Sequence, residues 1–211
     1  MNFVGHIATG LAIDDASGTT FLLGTALPDF AAMVRLRLDR TDGELGLGMQ
    51  LHHDTDAVFH RQGWFLEHEH ELLADLVASG VPRGGALACA HVGVELLPDG
   101  EQLREPAAAT AVVDVYAAME HPPEIAIEVV PPDARDRWRE HLSGIARRLD
   151  PFLYRDPSSV AQRLHRITSS RPRLAFDIGH VPTITEHLAR VQPRIGQSAA
   201  EVLAEVARAL E

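Results

Sequence analysis

An all-α protein, an irregular helical bundle in a single domain spanning residues 1–211, is what this sequence predicts, and three observations carry the prediction. Apolar residues recur at three- and four-residue spacing along most of the chain, as in Phe3, Ile7 and Leu11, or Leu72, Leu73 and Leu76. No stretch sustains the period-two alternation of a half-buried strand. Glycine and proline punctuate the chain at helical rather than strand-like intervals, and 211 residues suffice for one domain with its own core.

Taken in order, Phe3, Ile7, Leu11 and Ile13 predict a first short helix, broken at residues 15–18. A second is expected over residues 19–37, with Pro28 kinking its middle. Residues 41–48 are Gly-rich and read as a loop. A third helix should start at residue 48, with a break near Gly63, and end at Gly80 and Pro82. A fourth spans 84–97, closed by Pro98-Asp99-Gly100, and a fifth 105–119. The segment 121–132 holds four prolines, and its core, 124–130, reads as a short helix or an extended connector. Amphipathic helices are then expected over 133–149, 157–168, 181–191 and 198–210.

The formal net charge is −11, and all 19 basic residues are Arg. That balance argues against sequence-independent nucleic-acid binding and against a polybasic membrane anchor. No apolar run reaches the roughly 18 residues a bilayer span needs. The N-terminus lacks the basic region of a secretory signal, and the single cysteine, Cys89, cannot form an intrachain disulfide, so a cytoplasmic location is expected.

The chemistry is concentrated in imidazoles and carboxylates. His52, Asp56 and His60 stand at i, i+4 and i+8 on the third helix. Each step of four advances about 40° past a full turn, so the three share one stripe. Two neutral imidazoles around a carboxylate form a ligand set for a divalent ion such as Mn, Fe, Zn or Ni. A solvated His/Asp-rich surface is the plain alternative for this segment alone. His6 lies on an apolar face beside Phe3 and Ile7. Asp29 follows Leu27-Pro28 in an apolar stretch, where an unpaired carboxylate would be costly. His91 and Glu95 stand one turn apart in another apolar helix. One shared metal accounts for all of these burials together, because helical bundles build such sites from inward-facing side chains. His68 and His70 alternate with Glu67, Glu69 and Glu71, as on a solvated face, and His121, His141 and His187 sit in polar surroundings. Arg171 and Arg173, after Ser169-Ser170, could recognise phosphate or could simply end a surface helix.

The motifs Met1-Asn2-Phe3-x-x-His6, Leu23-Gly24-x-x-Leu27-x-Asp29-Phe30, Gly48-Met49-x-Leu51-His52-x-x-x-Asp56, Ser169-x-Arg171-Pro172-Arg173-Leu174 and Pro193-Arg194 occur in this order. They resemble the bacterial acyl carrier protein phosphodiesterase family, most specifically in the first third of the chain. The resemblance implies an HD-domain-like all-α fold and a divalent metal, with Mn2+ the expected ion and Fe2+, Zn2+ or Mg2+ as alternatives. It also implies hydrolytic release of 4′-phosphopantetheine from holo acyl carrier protein, or cleavage of a related phosphoester. His6, Asp29, His52, Asp56 and His91 are the implied metal ligands. The chain departs from the family pattern at Ala90 and His60, where Asp is usual, and at His53-Asp54, where a basic pair is usual. An acidic chain is also a poor electrostatic partner for an acidic carrier protein.

On this reading Arg171 or Arg173 neutralises charge on the phosphoryl oxygens, and His60 or Glu95 passes a proton to the leaving oxygen. Two other readings stay open. Gly5-His6-Ile7-Ala8 with Phe21-Leu22-Leu23-Gly24-x-x-Leu27-Pro28-Asp29 is similar to the zinc-dependent phospholipase C-like hydrolases. A non-catalytic descendant that keeps the fold and binds a metal, a small ligand or a partner protein is the third.

Overall fold

Residues 1–13 and 18–210 are described by a computed structural model. The helices are α1 (Phe3–Ile13), α2 (Thr19–Met33), α3 (Gly43–Phe59), α4 (Gly63–Ala78), α5 (Arg83–Gln102), α6 (Pro106–Glu120), α7 (Glu124–Glu128), α8 (Arg135–Arg148), α9 (Pro157–Thr168) and α10 (Val181–Arg208). Short 3₁₀ turns at Pro132–Ala134, Pro151–Arg155 and Ile178–His180 join the later helices. No strand occurs among the described residues, so the fold is all-α as the periodicity requires. The expected break at residues 15–18 lies mostly outside the described residues.

Helix α5 runs through the middle, with α1, α4, α9 and α10 packed around it. Helices α2 and α3 form the most extensive helix pair, α6 packs on the other side of α2, and α8 packs on α6. The core is continuous. Phe3, Phe30, Phe65 and Trp138 are fully buried in it, with the Phe3 and Phe30 rings 5.1 Å apart. The Trp138 indole N–H is satisfied by the Ala126 carbonyl at 2.9 Å. No described helix is long and apolar enough to cross a membrane.

Three boundaries differ from the sequence expectation, each for a packing reason. Helix α3 begins at Gly43, within the stretch expected to be a loop. Its glycines allow close approach: a Cβ at Gly48 would strike the Phe21 carbonyl oxygen, and one at Gly24 the Leu45 carbonyl oxygen. Helix α5 continues past Pro98 to Gln102. The proline removes one intrahelical bond, but Asp99 and Gly100 then dock against α1 and the Tyr154 backbone. Helix α10 is continuous through Pro193, because its buried stripe (Ile184, Leu188, Val191, Ile195, Val202, Val206) keeps one register across the proline. The third expected helix is two, α3 and α4, separated at residues 60–62, and the doubtful segment at 124–130 contains α7.

Candidate metal centre

Two stripes face each other at the middle of the molecule. One is His52, Asp56 and His60 on α3, and the other is His91, Glu95 and Asp99 on α5, both at four-residue spacing. The start of α1 inserts between them. Asp99 accepts hydrogen bonds from the Val4 and Gly5 backbone N–H groups (3.2 and 2.9 Å) and from Asn2 Nδ2 (2.8 Å). It therefore caps α1 from a distant helix and fixes the position of His6.

The side chains gather into two trios. In each, one possible ligand atom per residue lies within 4.8 Å of the others: His6, His52 and Asp56 form the first, His60, His91 and Glu95 the second. The first is deep, with His6 fully buried and its ring stacked on His52 at 3.8 Å between centroids. The second is more open, its His91 side chain 42% exposed. The Met1 amino nitrogen spans them, 3.0 Å from Asp56 Oδ1 and 3.2 Å from Glu95 Oε1.

The outer nitrogens of the four imidazoles explain their orientation. His52 Nδ1 lies 2.8 Å from the Thr25 carbonyl, which can only accept, so this nitrogen carries the proton and Nε2 keeps its lone pair. His91 Nδ1 donates in the same way to Glu69 Oε1 at 2.8 Å, and His60 Nδ1 to the Asp56 carbonyl at 3.0 Å. Thr55 gives its hydroxyl proton to the Leu51 or His52 carbonyl, so its oxygen accepts from His6 Nδ1 at 2.7 Å. The Nε2 atoms of His6, His60 and His91 thus face inward, and His52 Nε2 is left without the proton. His6 Nε2 sits 3.1 Å from the Met1 carbonyl oxygen and 3.5 Å from Asp56 Oδ1. His60 and His91 Nε2 sit 2.9 and 3.5 Å from Glu95 Oε1. Nitrogens turned toward oxygens are held there by a proton or another positive charge between them, a role open to the Met1 ammonium, to a proton on His60 or to a metal ion. Outer-nitrogen anchoring by a carbonyl or carboxylate is also how metal-binding histidines are held.

The protonation behaviour agrees. Burial, with His6 alongside, pushes His52 down to about 3, and burial lowers His6 as well, so both stay neutral. Burial would raise Asp56, but the His6 hydrogen bond and the Met1 ammonium outweigh it and hold the carboxyl below the usual range. The Glu95 hydrogen bond raises His60. In return His60 and the Met1 ammonium hold Glu95 down despite its burial. Asp29 behaves oppositely: burial, reinforced by Glu95, raises it well above the usual range, and its Oδ2 is buried with no hydrogen-bond partner. Burial next to Glu95 and Asp56 thus favours the protonated form of Asp29, whose unpartnered oxygen would give up that proton only to a cation or another donor beside it. The residues present therefore fit a divalent ion.

Of the residues singled out from sequence, His6, His52, Asp56, His60, His91 and Glu95 converge, and Asp29 stands within their field. Arg171 and Arg173 do not join them. They lie exposed on the turn after α9, where the Arg173 carbonyl packs against Gly84 at the start of α5. Seven residues of α5 separate that point from His91, about 10 Å along the axis. Sequence reasoning missed Glu69, assigned to a solvated face, Asp99, read as part of a helix stop, and Thr55. The i, i+4, i+8 pattern His91, Glu95, Asp99 was the available signal for Asp99, and Pro98 masked it. His68 and His187, expected on polar faces, are buried: His68 Nδ1 donates to the Trp64 carbonyl and His187 pairs with Ser79. Cys89 is buried and its thiol is pushed up to about 12, so it is no nucleophile.

Comparison with known proteins finds no matching family model, curated protein or solved structure.

Proposed function

We propose that this protein is a divalent-metal-dependent hydrolase of phosphoester bonds. The single observation behind this reading is the orientation of the imidazoles: His6, His60 and His91 each have Nδ1 held by a neighbouring group and Nε2 turned toward Asp56 or Glu95, and His52, its Nδ1 held by the Thr25 carbonyl, stacks on His6 beside them. His6, His52 and Asp56 would hold one cation in the deep half, with Asp29 as a further carboxylate. His60, His91 and Glu95 would hold a second in the open half, so His60 and Glu95 act as donors rather than as free-standing proton shuttles. Such ions supply Lewis acidity, activating water and drawing charge from a phosphoryl oxygen. The protein's own part is to keep His52 and His6 neutral, to orient His91 through Glu69, and to leave the His60 and His91 side open to an entering ester. Mn2+ remains the proposed ion and acyl carrier protein one proposed source of substrate, both on the strength of the motif resemblance.

Elemental analysis after equilibration with Mn2+, joined to hydrolysis of bis(4-nitrophenyl) phosphate, tests the reading. Two equivalents of metal and turnover are expected, with turnover and at least the deep equivalent lost in Asp56→Ala. Full turnover in that variant, or turnover by metal-free protein, would refute it.

One observation favours a second reading. The Met1 ammonium already lies between Asp56 and Glu95, so the same groups could form a purely structural ion network. That reading requires that no metal be retained and that Asp56→Ala lower only stability.

A further inference from the structure

A cavity of about 680 Å³ lies between α2, the start of α3 and the connecting strap of residues 34–42. That is the size of pocket that takes a small organic ligand. It adjoins the metal centre along α3. Met49 and His53 line it, and at helical spacing they continue the stripe of Asp56 and His60. The His53 ring meets the His52 ring edge-on at 5.3 Å between centroids. On α2, Pro28 lines the cavity and the next residue is Asp29.

The walls are chemically divided. Pro28, Ala31, Ala32, Leu36 and Met49 give an apolar surface with no titratable group. The strap brings two guanidinium groups, Arg37 and Arg40, to the rim, and neither pairs with a carboxylate among the described residues. Gly43, Gly46 and Leu47 place the first turn of α3 on the same rim, where Asp42 makes no side-chain cap bond to it. Uncapped N–H groups beside two arginines attract an anion. Asp39 and Asp42 share the rim and Glu44 stands in the first turn of α3, so the rim carries no net positive charge and any pull on an anion is local to the two guanidinium groups, which suits a singly charged carboxylate better than a dianionic phosphate.

The strap is also held in place. Leu36 N–H bonds to the Ala31 carbonyl and Arg35 N–H to the Ala32 carbonyl, closing α2 with Arg35 in the left-handed region at φ 55°. Farther along, Asp39 N–H bonds to the Val129 carbonyl at 2.7 Å. The cavity is thus a formed pocket that requires no closure.

From this we infer that the cavity seats the non-reacting arm of the substrate, an apolar arm ending in a carboxylate that meets Arg37, Arg40 and the start of α3. The inference deepens the hydrolase reading and rests on it for the word substrate, while the pocket itself can be tested without any metal.

The probe is 4-biphenylcarboxylate, titrated calorimetrically against metal-free protein. Binding is expected, weakened about tenfold in Arg40→Gln, equivalent to about 1.4 kcal/mol. It should be lost in Ala32→Trp, which places a large ring on the exposed side of the apolar wall. The neutral 4-biphenylmethanol should feel Ala32→Trp but feel Arg40→Gln less than twofold. Should Ala32→Trp fail to fold, as judged by circular dichroism, the Arg40→Gln contrast decides alone. In Mn2+-loaded protein the same carboxylate should inhibit bis(4-nitrophenyl) phosphate hydrolysis competitively. Absence of binding, or equal binding by wild type and Arg40→Gln, overturns the pocket. Binding with non-competitive inhibition overturns its continuity with the metal centre. Binding in a protein that hydrolyses nothing keeps the pocket and removes the hydrolase reading alone.

Discussion

The deep and open halves of the cluster use the same residue types in different surroundings. His6 and His52 are buried against each other and anchored by a threonine hydroxyl and a backbone carbonyl, both neutral. His60 and His91 are partly exposed and surround the negatively charged Glu95, with Glu69 behind His91. Burial therefore dominates in the first pair and keeps it neutral, whereas a carboxylate dominates for His60 and favours its proton. The lesson is that ligand-like residues are prepared in two ways. A deep imidazole is kept proton-free by desolvation, and an open one must exchange its proton for the cation.

The largest expected effect breaks the deep half through its frame. Gly48→Val drives a side chain into the Phe21 carbonyl and separates α2 from α3, which removes the His52 anchor on Thr25. A loss of about 3 kcal/mol in chemical denaturation is expected, at the upper end for overpacking. The control Gly63→Ala meets nothing within 4 Å and should change stability little.

Glu95→Gln sharpens the contrast from the open side. A loss of about 2 kcal/mol at pH 6 is expected, typical of removing a charged hydrogen-bond acceptor from buried partners. The His60 pKa followed by NMR should fall back toward its ordinary value, while His52 stays neutral. The sign of the pH dependence follows. His60 has a raised pKa in the folded protein, so its contribution is complete below the ordinary histidine value of 6.5 and is lost as pH rises through the raised one. Wild type should show that loss above pH 6.5, and Glu95→Gln should not.

Smaller effects probe the surroundings. Arg35→Gly relieves the left-handed residue that ends α2 and should stabilise the protein by about 1 kcal/mol, read as a rise in Tm. Asp156→Ala removes the cap of α9, whose carboxylate accepts from Ser158 and Ser159 backbone N–H groups. It should cost at most about 1 kcal/mol and leave both halves of the cluster unchanged by metal analysis. The Ser159 hydrogen bond holds Asp156 below its ordinary value of 3.8, so this contribution exists above that value and disappears as pH falls through the depressed one.

Much of this was legible in the chain itself, wherever the determining contacts are local. Helical periodicity follows from residues three and four apart, so the all-α class and the stripes His52, Asp56, His60 and His91, Glu95 could be read directly. Local rules failed at Pro98, taken as a stop, and at residues 192–197, left between two helices, although tertiary packing outweighs the backbone bonds that Pro98 and Pro193 remove. They failed again at Gly43 to Gly48, where glycines serve helix contact rather than a loop. Glu69 was hidden because alternation of Glu and His looks alike on a wet face and on a face that supports a partner helix.

The sequence by itself determined which side chains share a helix face, because that depends only on 3.6 residues per turn. Only the tertiary structure decided which imidazole nitrogen points inward, because the acceptors that hold the other nitrogen on His6, His52 and His91 come from 22 to 49 residues away. Tertiary structure alone also left Arg171 and Arg173 at the far end of α5, since the fold, not the residue type, sets the distance between a guanidinium and a cation site.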